Sequence, residues 1–211
     1  MKPVTVIIVN YNTPGIITRA VKSVSHLDDV MCVDIIDNSD KNNPAYKECD
    51  KLSIVDYTKQ DWVAVHHTHK NIGHGPALNI GVERAKTNAI IVMDSDAVLI
   101  DPSLLQEMYD AIQDEDVYGA GLVVRVNDSG GTDPNGKYNY LHPYFAMFWK
   151  YDFLQYSGFI NHGAPWLKTM KEIHGKQRVV NIPDIQKKAW HEHRRTRQIA
   201  GKSWRQNWDK V

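Results

Sequence analysis

Short runs of apolar residues recur along the chain, and most of them stop at a polar stretch. Apolar and polar positions do not alternate within the runs, which is typical of strands that are buried on both faces. The runs predict strands at residues 4–9, 30–36, 62–66, 89–93, 117–126 and 179–183.

Between these runs the spacing of apolar residues changes to that of helices. Apolar residues from Ile16 to Val24 predict one helical face, with Thr13 as the N-cap and Pro14 in the first turn. Further helices are predicted near Tyr46, at residues 76–85 and at residues 103–113. Strands that alternate with helices favour an α/β fold with a mostly parallel, doubly wound sheet flanked by helices.

Polar residues follow several predicted strands, at 10–12, 37–40, 71–75 and 94–96. Ligands of such folds bind beyond the carboxyl ends of the strands, so these groups predict one shared site. In an extended or turning backbone, residues two apart point to the same side, and Asp94 and Asp96 can therefore converge on one hard divalent cation. The alternative is a strand followed by a solvated acidic turn.

Composition is that of an ordinary globular domain, with 211 residues and 42% hydrophobic content. No apolar run approaches the roughly 20 residues of a membrane span, and the N-terminus lacks the shape of a signal peptide, so we expect a cytoplasmic protein. The formal net charge is zero, yet basic residues are concentrated in the last part of the chain. This predicts a single domain at 1–186 and a basic, tryptophan-containing segment at 187–211.

Four stretches carry a family resemblance: Val9-Asn10-Tyr11-Asn12, Ile36-Asp37-Asn38-Ser39, the Gly-containing segment 71–81, and Met93-Asp94-Ser95-Asp96. In this order and at this spacing they resemble the signature of family 2 glycosyltransferases of the GT-A fold. The resemblance covers residues 1–126, which it implies to be the nucleotide-sugar-binding half, and leaves 127–186 as the acceptor-side half.

The resemblance implies that a nucleotide-diphosphate sugar lies across the strand ends. Its base and ribose would contact the loop 10–12 and Asp37, and Mn or Mg would bridge Asp94, Asp96 and the diphosphate. The donor-binding residues that it implies in this half are Asn10, Tyr11, Asn12, Asp37, Asn71, Gly73, Asp94 and Ser95.

Several of these residues have a structural alternative. Asp37 can accept a hydrogen bond from a base, or it can cap the turn that contains Asn38. Gly73 can allow a tight turn, and Asn71 can be a turn residue rather than a ligand contact. The histidines at 66–69 look like zinc ligands, but no cysteine or paired carboxylate is near them in sequence, so we expect no zinc site there.

The general base is not where the family usually has it. Inverting members carry a Glu-Asp pair on a helix, and Gly163-Ala164 occupy the corresponding position here. His162, immediately before, has suitable chemistry because a neutral imidazole can take a proton from a hydroxyl. A turn at the start of a helix explains His162 equally well. Asp152 is the second candidate, and aromatic residues at 138–156 can stack a sugar or belong to the core.

Near the C-terminus, the resemblance implies a histidine as a third protein ligand to the metal. His191 rather than His193 precedes Arg195 at the spacing of the family, and imidazole suits Mn better than Mg. Arg194 and Arg195 can neutralise the diphosphate, or they can belong to a basic amphipathic helix that makes peripheral contact with anionic lipid. A solvated helix that packs on the domain is the third interpretation.

The residues and the resemblance together favour a metal-dependent glycosyltransferase. It would move a sugar from a nucleotide-diphosphate donor to the hydroxyl of a glycan, a lipid-linked or a small-molecule acceptor, and no nucleic-acid partner is expected. A nucleotidyltransferase on a related fold would want a basic, Gly-rich phosphate loop after the first strand, which Asn10-Tyr11-Asn12 lacks. A catalytically inactive nucleotide-sugar-binding protein is the other alternative, because the Glu-Asp pair is missing.

Overall fold

The computed structural model describes residues 2–53, 62–160 and 163–191. The strands are β1 (Val4–Asn10), β2 (Val30–Asp37), β3 (Trp62–His67), β4 (Ala89–Asp94), β5 (Ala97–Leu99), β6 (Val117–Val126), β7 (Tyr138–Trp149), β8 (Arg178–Asn181) and β9 (Ala189–His191). The helices are α1 (Ile16–Val24), α2 (Pro44–Leu52), α3 (His74–Arg84), α4 (Ser103–Ala111), α5 (Lys150–Phe153), α6 (Leu167–Ile173) and α7 (Ile185–Lys188).

Seven strands form one sheet in the order β3-β2-β1-β4-β7-β6-β8. The neighbours β3, β2, β1 and β4 are parallel, and so are β6 and β8, whereas β7 is antiparallel to both β4 and β6. The expected α/β architecture with a mostly parallel sheet is therefore confirmed. The carboxyl ends of β1, β2, β3, β4 and β6 all lie at one edge of this sheet, which we call the carboxyl edge.

The central strands are buried because their apolar side chains contribute to two hydrophobic clusters, one on each face of the sheet. All residues of β1 are buried. Helix α3 packs closely against this strand, since a Cβ added at Gly81 would overlap the Cγ2 atom of Ile7. Gly81 therefore allows close packing of the helix on the sheet.

The start of α1 differs from the prediction. The helix begins at Ile16, and its N-cap is Gly15, whose φ of 77° lies in the left-handed region that favours glycine. Thr13 does not cap the helix with its side chain; its hydroxyl donates a hydrogen bond to Oδ1 of Asn10 instead. The Thr13 hydroxyl therefore bonds to Asn10 at the end of β1 and not to the backbone of the helix.

A second, two-stranded sheet is formed by β5 and β9, which are antiparallel and pair Ala97 with His191. This pairing brings residues from near the C-terminus of the described chain next to the turn that follows β4. Within the described residues, no helix is both long and apolar enough to cross a membrane.

Candidate active site

An acidic cluster lies at the carboxyl edge, where β4 ends at Asp94 and a turn leads through Asp96 into β5. The imidazole Nε2 atom of His191 lies 3.0 Å from Oδ1 of Asp96 and 3.5 Å from Oδ2 of Asp94. One ligand atom from each of the three residues can be chosen so that all lie within 4.8 Å of one another. The structure therefore brings together the three predicted metal ligands, which we call the metal cluster.

The electrostatics of the metal cluster favour a positive charge. Burial lowers the pKa of His191, but the hydrogen bond to Asp96 and the charges of Asp94 and Asp96 outweigh it, so that the pKa is raised overall. Asp96 is buried and Asp94 is half-buried. Two carboxylates this close repel each other unless a cation or a proton lies between them. Two oxygen ligands with one imidazole fit Mn²⁺, and a cation that binds there would displace the proton of the histidine.

A second histidine approaches the same cluster from α3. His74 is the first residue of that helix, and its Nε2 atom lies 3.6 Å from Oδ1 of Asp94. Asp94 thus has a histidine near each of its carboxylate oxygens, since His191 is near Oδ2. The sequence predicted that residues 71–75 belong to the shared site but assigned no role to His74, which the structure puts beside Asp94.

A different network surrounds Asp37. Asn10, Asp37 and His67 are register partners at the ends of β1, β2 and β3. Oδ1 of Asp37 accepts hydrogen bonds from Nδ2 of Asn10 (2.9 Å) and from the backbone N–H of Ser39 (3.1 Å), while Oδ2 lies 2.8 Å from Nδ1 of His67. Asp37 is fully buried. Both of its oxygens are therefore occupied by the protein, which favours a structural role over direct reading of a base.

His67 links this network to helix α2. Its Nε2 atom lies 2.9 Å from Oδ1 of Asp50, and its ring stacks on Tyr46 with centroids 3.7 Å apart and planes at 18°. The three potential metal ligands that the structure groups together among its described residues are Asp94, Asp96 and His191, and the histidines at 66–69 are not among them. His67 is a residue of the site region that the sequence prediction missed.

The remaining donor-side residues lie at or near the same edge. Asn71 has the role of a turn residue, because its Oδ1 accepts a hydrogen bond of 2.9 Å from the backbone N–H of Gly73. Tyr11 and Asn12 are half-buried in the loop after β1. The hydroxyl of Thr13 lies 3.5 Å from that of Ser95. This contact joins the loop after β1 to the acidic turn.

The sequence matches the family described as Glycosyl transferase family 2 over residues 5–199. The chain belongs to this family. No curated protein sequence matches it.

Many solved structures resemble this family 2 glycosyltransferase. They include the mannosyltransferase PcManGT from Pyrobaculum calidifontis in complex with GDP-Man and Mn²⁺, at 18% identity and a TM-score of 0.68, covering 88% of this chain and 56% of that one. GalNAc-T7 with UDP, GalNAc and Mn²⁺ has 14% identity and a TM-score of 0.64, covering 87% and 43%. S. aureus TarS has 17% identity and a TM-score of 0.56, covering 87% and 35%.

These similarities show the fold, and the GT-A fold expected from the sequence is confirmed. The chain spans little more than half of the PcManGT chain and less than half of the other two. Its own donor, acceptor and partners are therefore matters of proposal.

Gly163 and Ala164, which the sequence predicts to stand in place of the acidic pair, can be located in the structure. Loop 127–136 follows β6 at the carboxyl edge, and a Cβ at Gly130 would lie 2.7 Å from the Cβ of Ala164. Gly163 and Ala164 are thus close to a loop that leaves the edge at which the metal cluster lies. Neither offers a group that can accept a proton. His162, Arg194 and Arg195 lie outside the described residues.

Asp152 is not where a general base is needed. It lies on α5, which directly follows the end of β7, and this end of β7 pairs Trp149 with Ala89 at the start of β4. Asp94 is at the other end of β4. Burial raises the pKa of Asp152, but the residue lies at the opposite edge of the sheet from the metal cluster, so its predicted role is corrected. The reason is that β7 is antiparallel, which the sequence did not reveal.

Proposed function

We propose that this family 2 glycosyltransferase moves a sugar from a nucleotide-diphosphate donor to a hydroxyl acceptor and requires a divalent cation at Asp94, Asp96 and His191. The observation that carries the proposal is the metal cluster at the carboxyl edge, with three ligand atoms within 4.8 Å. Ligands of α/β folds bind at this edge. Further support comes from two structural neighbours whose structures contain Mn²⁺ with GDP-Man or with UDP and GalNAc. Mn is our first choice and Mg the alternative.

In the proposed reaction, the residues of this chain bind and orient the donor. Tyr11 and Asn12 would contact the nucleoside, and Asn71, Gly73 and Ser95 would border the donor. Asp94, Asp96 and His191 would hold the cation, which would supply electrostatic stabilisation to the departing diphosphate; such stabilisation is often the largest single contribution to group transfer. Arg194 and Arg195 are proposed to contact the same diphosphate.

Asp37 has a revised role in this proposal. Because both of its oxygens are already hydrogen-bonded within the protein, we assign it and Asn10 to the rigid floor of the nucleoside site. Floor residues contribute to donor affinity by keeping the loops after β1 and β2 in place, without contacting the base themselves.

The stereochemistry decides whether a protein base is required. An inverting transfer needs a residue that takes the proton of the acceptor, at a benefit of roughly 10²- to 10⁴-fold in rate, and His162 remains our proposal for it. NMR of the product linkage tests this first. An inverted anomer together with a strong loss of turnover in His162→Ala, at unchanged donor affinity, is the expected result, and a retained anomer or full turnover would exclude the role.

An inactive nucleotide-sugar-binding protein is the second candidate, favoured by Gly163 and Ala164 at the position of the acidic pair. A panel of nucleotide sugars with Mn²⁺ separates the two functions. We expect release of nucleotide that depends on Mn²⁺ and on an added glycan, lipid-linked or small-molecule acceptor. Tight donor binding without release for any acceptor would favour the inactive protein. Peripheral membrane contact through 187–211 stays a prediction.

A further inference from the structure

Tyr144 lies on β7 directly beside the metal cluster. The last register partners of β4 and β7 are Met93 and Phe145, so that Asp94 and Tyr144 are one step beyond them. Residues 143–145 are left out of the pairing of β7 with β6, which jumps from Ala146 to His142. Such bulges occur next to active sites, where they change the direction of a side chain.

The ring of Tyr144 contacts the histidine of the metal cluster. The centroids of the Tyr144 and His191 rings are 5.1 Å apart, and their planes are at 25°, which is a stacked arrangement. His191 keeps its Nε2 atom 3.0 Å from Asp96 in this arrangement. The stack and this contact together fix the orientation of the imidazole.

The hydroxyl of Tyr144 is buried, with 1% of the residue exposed, and it has no hydrogen-bond partner within the part of the chain that the structure describes. Buried hydroxyls almost always have a partner, because leaving one unsatisfied destabilises the fold. A phenol at neutral pH is a hydrogen-bond donor. Within the described residues, this hydroxyl therefore stays available to a bound ligand, and it belongs to the ring that stacks on His191.

We propose that Tyr144 is a positioning residue of the metal cluster. Its ring orients His191, and its hydroxyl donates a hydrogen bond to an oxygen that is bound to the cation, either a water or a phosphate oxygen of the donor. Partners of this kind, which contact the ligands or bound oxygens of a metal, commonly change metal affinity when they are removed. This inference rests on the proposed cation site but not on the identity of the sugar.

The test compares Tyr144→Phe, which keeps the ring and removes the hydroxyl, with Tyr118→Phe as a matched control. Tyr118 is also a fully buried tyrosine, but its ring packs against Trp166, and it lies beside Gly119, which is level with Ile90 rather than with Asp94. Calorimetry measures the affinity for Mn²⁺ alone and for Mn²⁺ with GDP or UDP. Thermal unfolding is followed with and without Mn²⁺.

We expect Tyr144→Phe to be at least as heat-stable as the wild type without metal, because an unsatisfied buried hydroxyl is gone. Its Mn²⁺ affinity should fall about tenfold or more, the lower range for such partners, whereas Tyr118→Phe keeps the affinity of the wild type. A loss with Mn²⁺ alone assigns the partner to a metal-bound water. A loss seen only with GDP or UDP assigns it to a phosphate oxygen.

Wild-type Mn²⁺ affinity in Tyr144→Phe, with and without GDP or UDP, overturns the role of the hydroxyl. Tyr144→Leu removes the stack as well, and we expect a larger loss than in Tyr144→Phe; an equal loss overturns the role of the ring. If the wild type itself binds no Mn²⁺, the proposed function fails instead, so the two failures are distinguishable.

Discussion

Two groups of polar residues lie side by side at the carboxyl edge, and the surroundings of their carboxylates differ. In the metal cluster, Asp94 and Asp96 are a few ångströms apart, with His191 as the hydrogen-bonded partner of Asp96. In the network at the ends of β1, β2 and β3, Asp37 is fully buried, and both of its carboxylate oxygens are hydrogen-bonded, to Asn10 and to His67. The position of an Asp at a strand end therefore does not by itself show that it binds a ligand. What matters is how many of its acceptor sites the protein has already filled.

The largest effect that we expect concerns the metal cluster. Asp96→Ala removes one of two oxygen ligands and should lower Mn²⁺ affinity by about three orders of magnitude, or roughly 4 kcal/mol. Thermal stability without metal should change little, because relief of the repulsion between the acids offsets the lost hydrogen bond to His191. Calorimetry and thermal unfolding measure the two quantities.

Asp116→Asn is the control for this change. Asp116 is an exposed acid that immediately precedes β6, at the opposite edge of the sheet. It should bind Mn²⁺ like the wild type. Unchanged affinity in Asp96→Ala would remove the basis of the cation site.

The second prediction reverses the pattern at Asp37. Asp37→Ala removes the buried carboxylate that accepts hydrogen bonds from Nδ2 of Asn10 and the N–H of Ser39 and that contacts Nδ1 of His67, so we expect the free energy of unfolding to fall by about 3 kcal/mol. Urea unfolding measures this, and Mn²⁺ affinity at a temperature where the variant is folded should stay close to that of the wild type. A variant of wild-type stability that binds nucleotide poorly would instead show that Asp37 reads the base.

A third prediction separates the two bonds of His67. His67→Phe keeps an aromatic ring on Tyr46 but leaves Oδ2 of Asp37 without its partner, and we expect a loss of about 2 kcal/mol in stability, the range for a hydrogen bond to a charged group. Asp50→Asn changes the other contact. Because the Asp50 side chain is 53% exposed, its loss should stay below about 1 kcal/mol. Equal losses in the two variants would contradict the importance of the buried bond.

The smallest effect is expected at His74. Its Nε2 atom is 3.6 Å from Asp94, which is too long for a direct hydrogen bond, so His74→Gln should weaken Mn²⁺ binding by less than about tenfold. His26→Gln is the matched control, since His26 is exposed and contacts only the end of α1 through the carbonyl of Lys22 in the hydrogen bonds described. A loss as large as that of Asp96→Ala would make His74 a ligand in its own right.

Much of the architecture could be predicted from local pattern. The strand at 117–126 has the predicted bounds, and β1, β2, β3 and β4 begin where their apolar runs begin. Continuous apolar runs are sufficient here because these strands are buried on both faces. The predicted start of α1 was wrong because Gly15 forms the N-cap in a left-handed backbone conformation, while the Thr13 hydroxyl bonds to Asn10.

The sequence by itself determined the α/β order, the acidic pair and the family, because these depend on residues close together in the chain. Tertiary structure decided how the polar groups pair, including those that the sequence had already predicted to share one site. His191 reaches Asp96 through the pairing of β5 with β9. The oxygens of Asp37 are hydrogen-bonded to neighbours on β1 and β3. The antiparallel direction of β7 brings Tyr144 to the metal cluster and puts Asp152 at the opposite edge of the sheet. Side-chain chemistry is encoded locally, whereas the occupancy of each donor and acceptor depends on strand register, and that register is set by packing across the whole sheet.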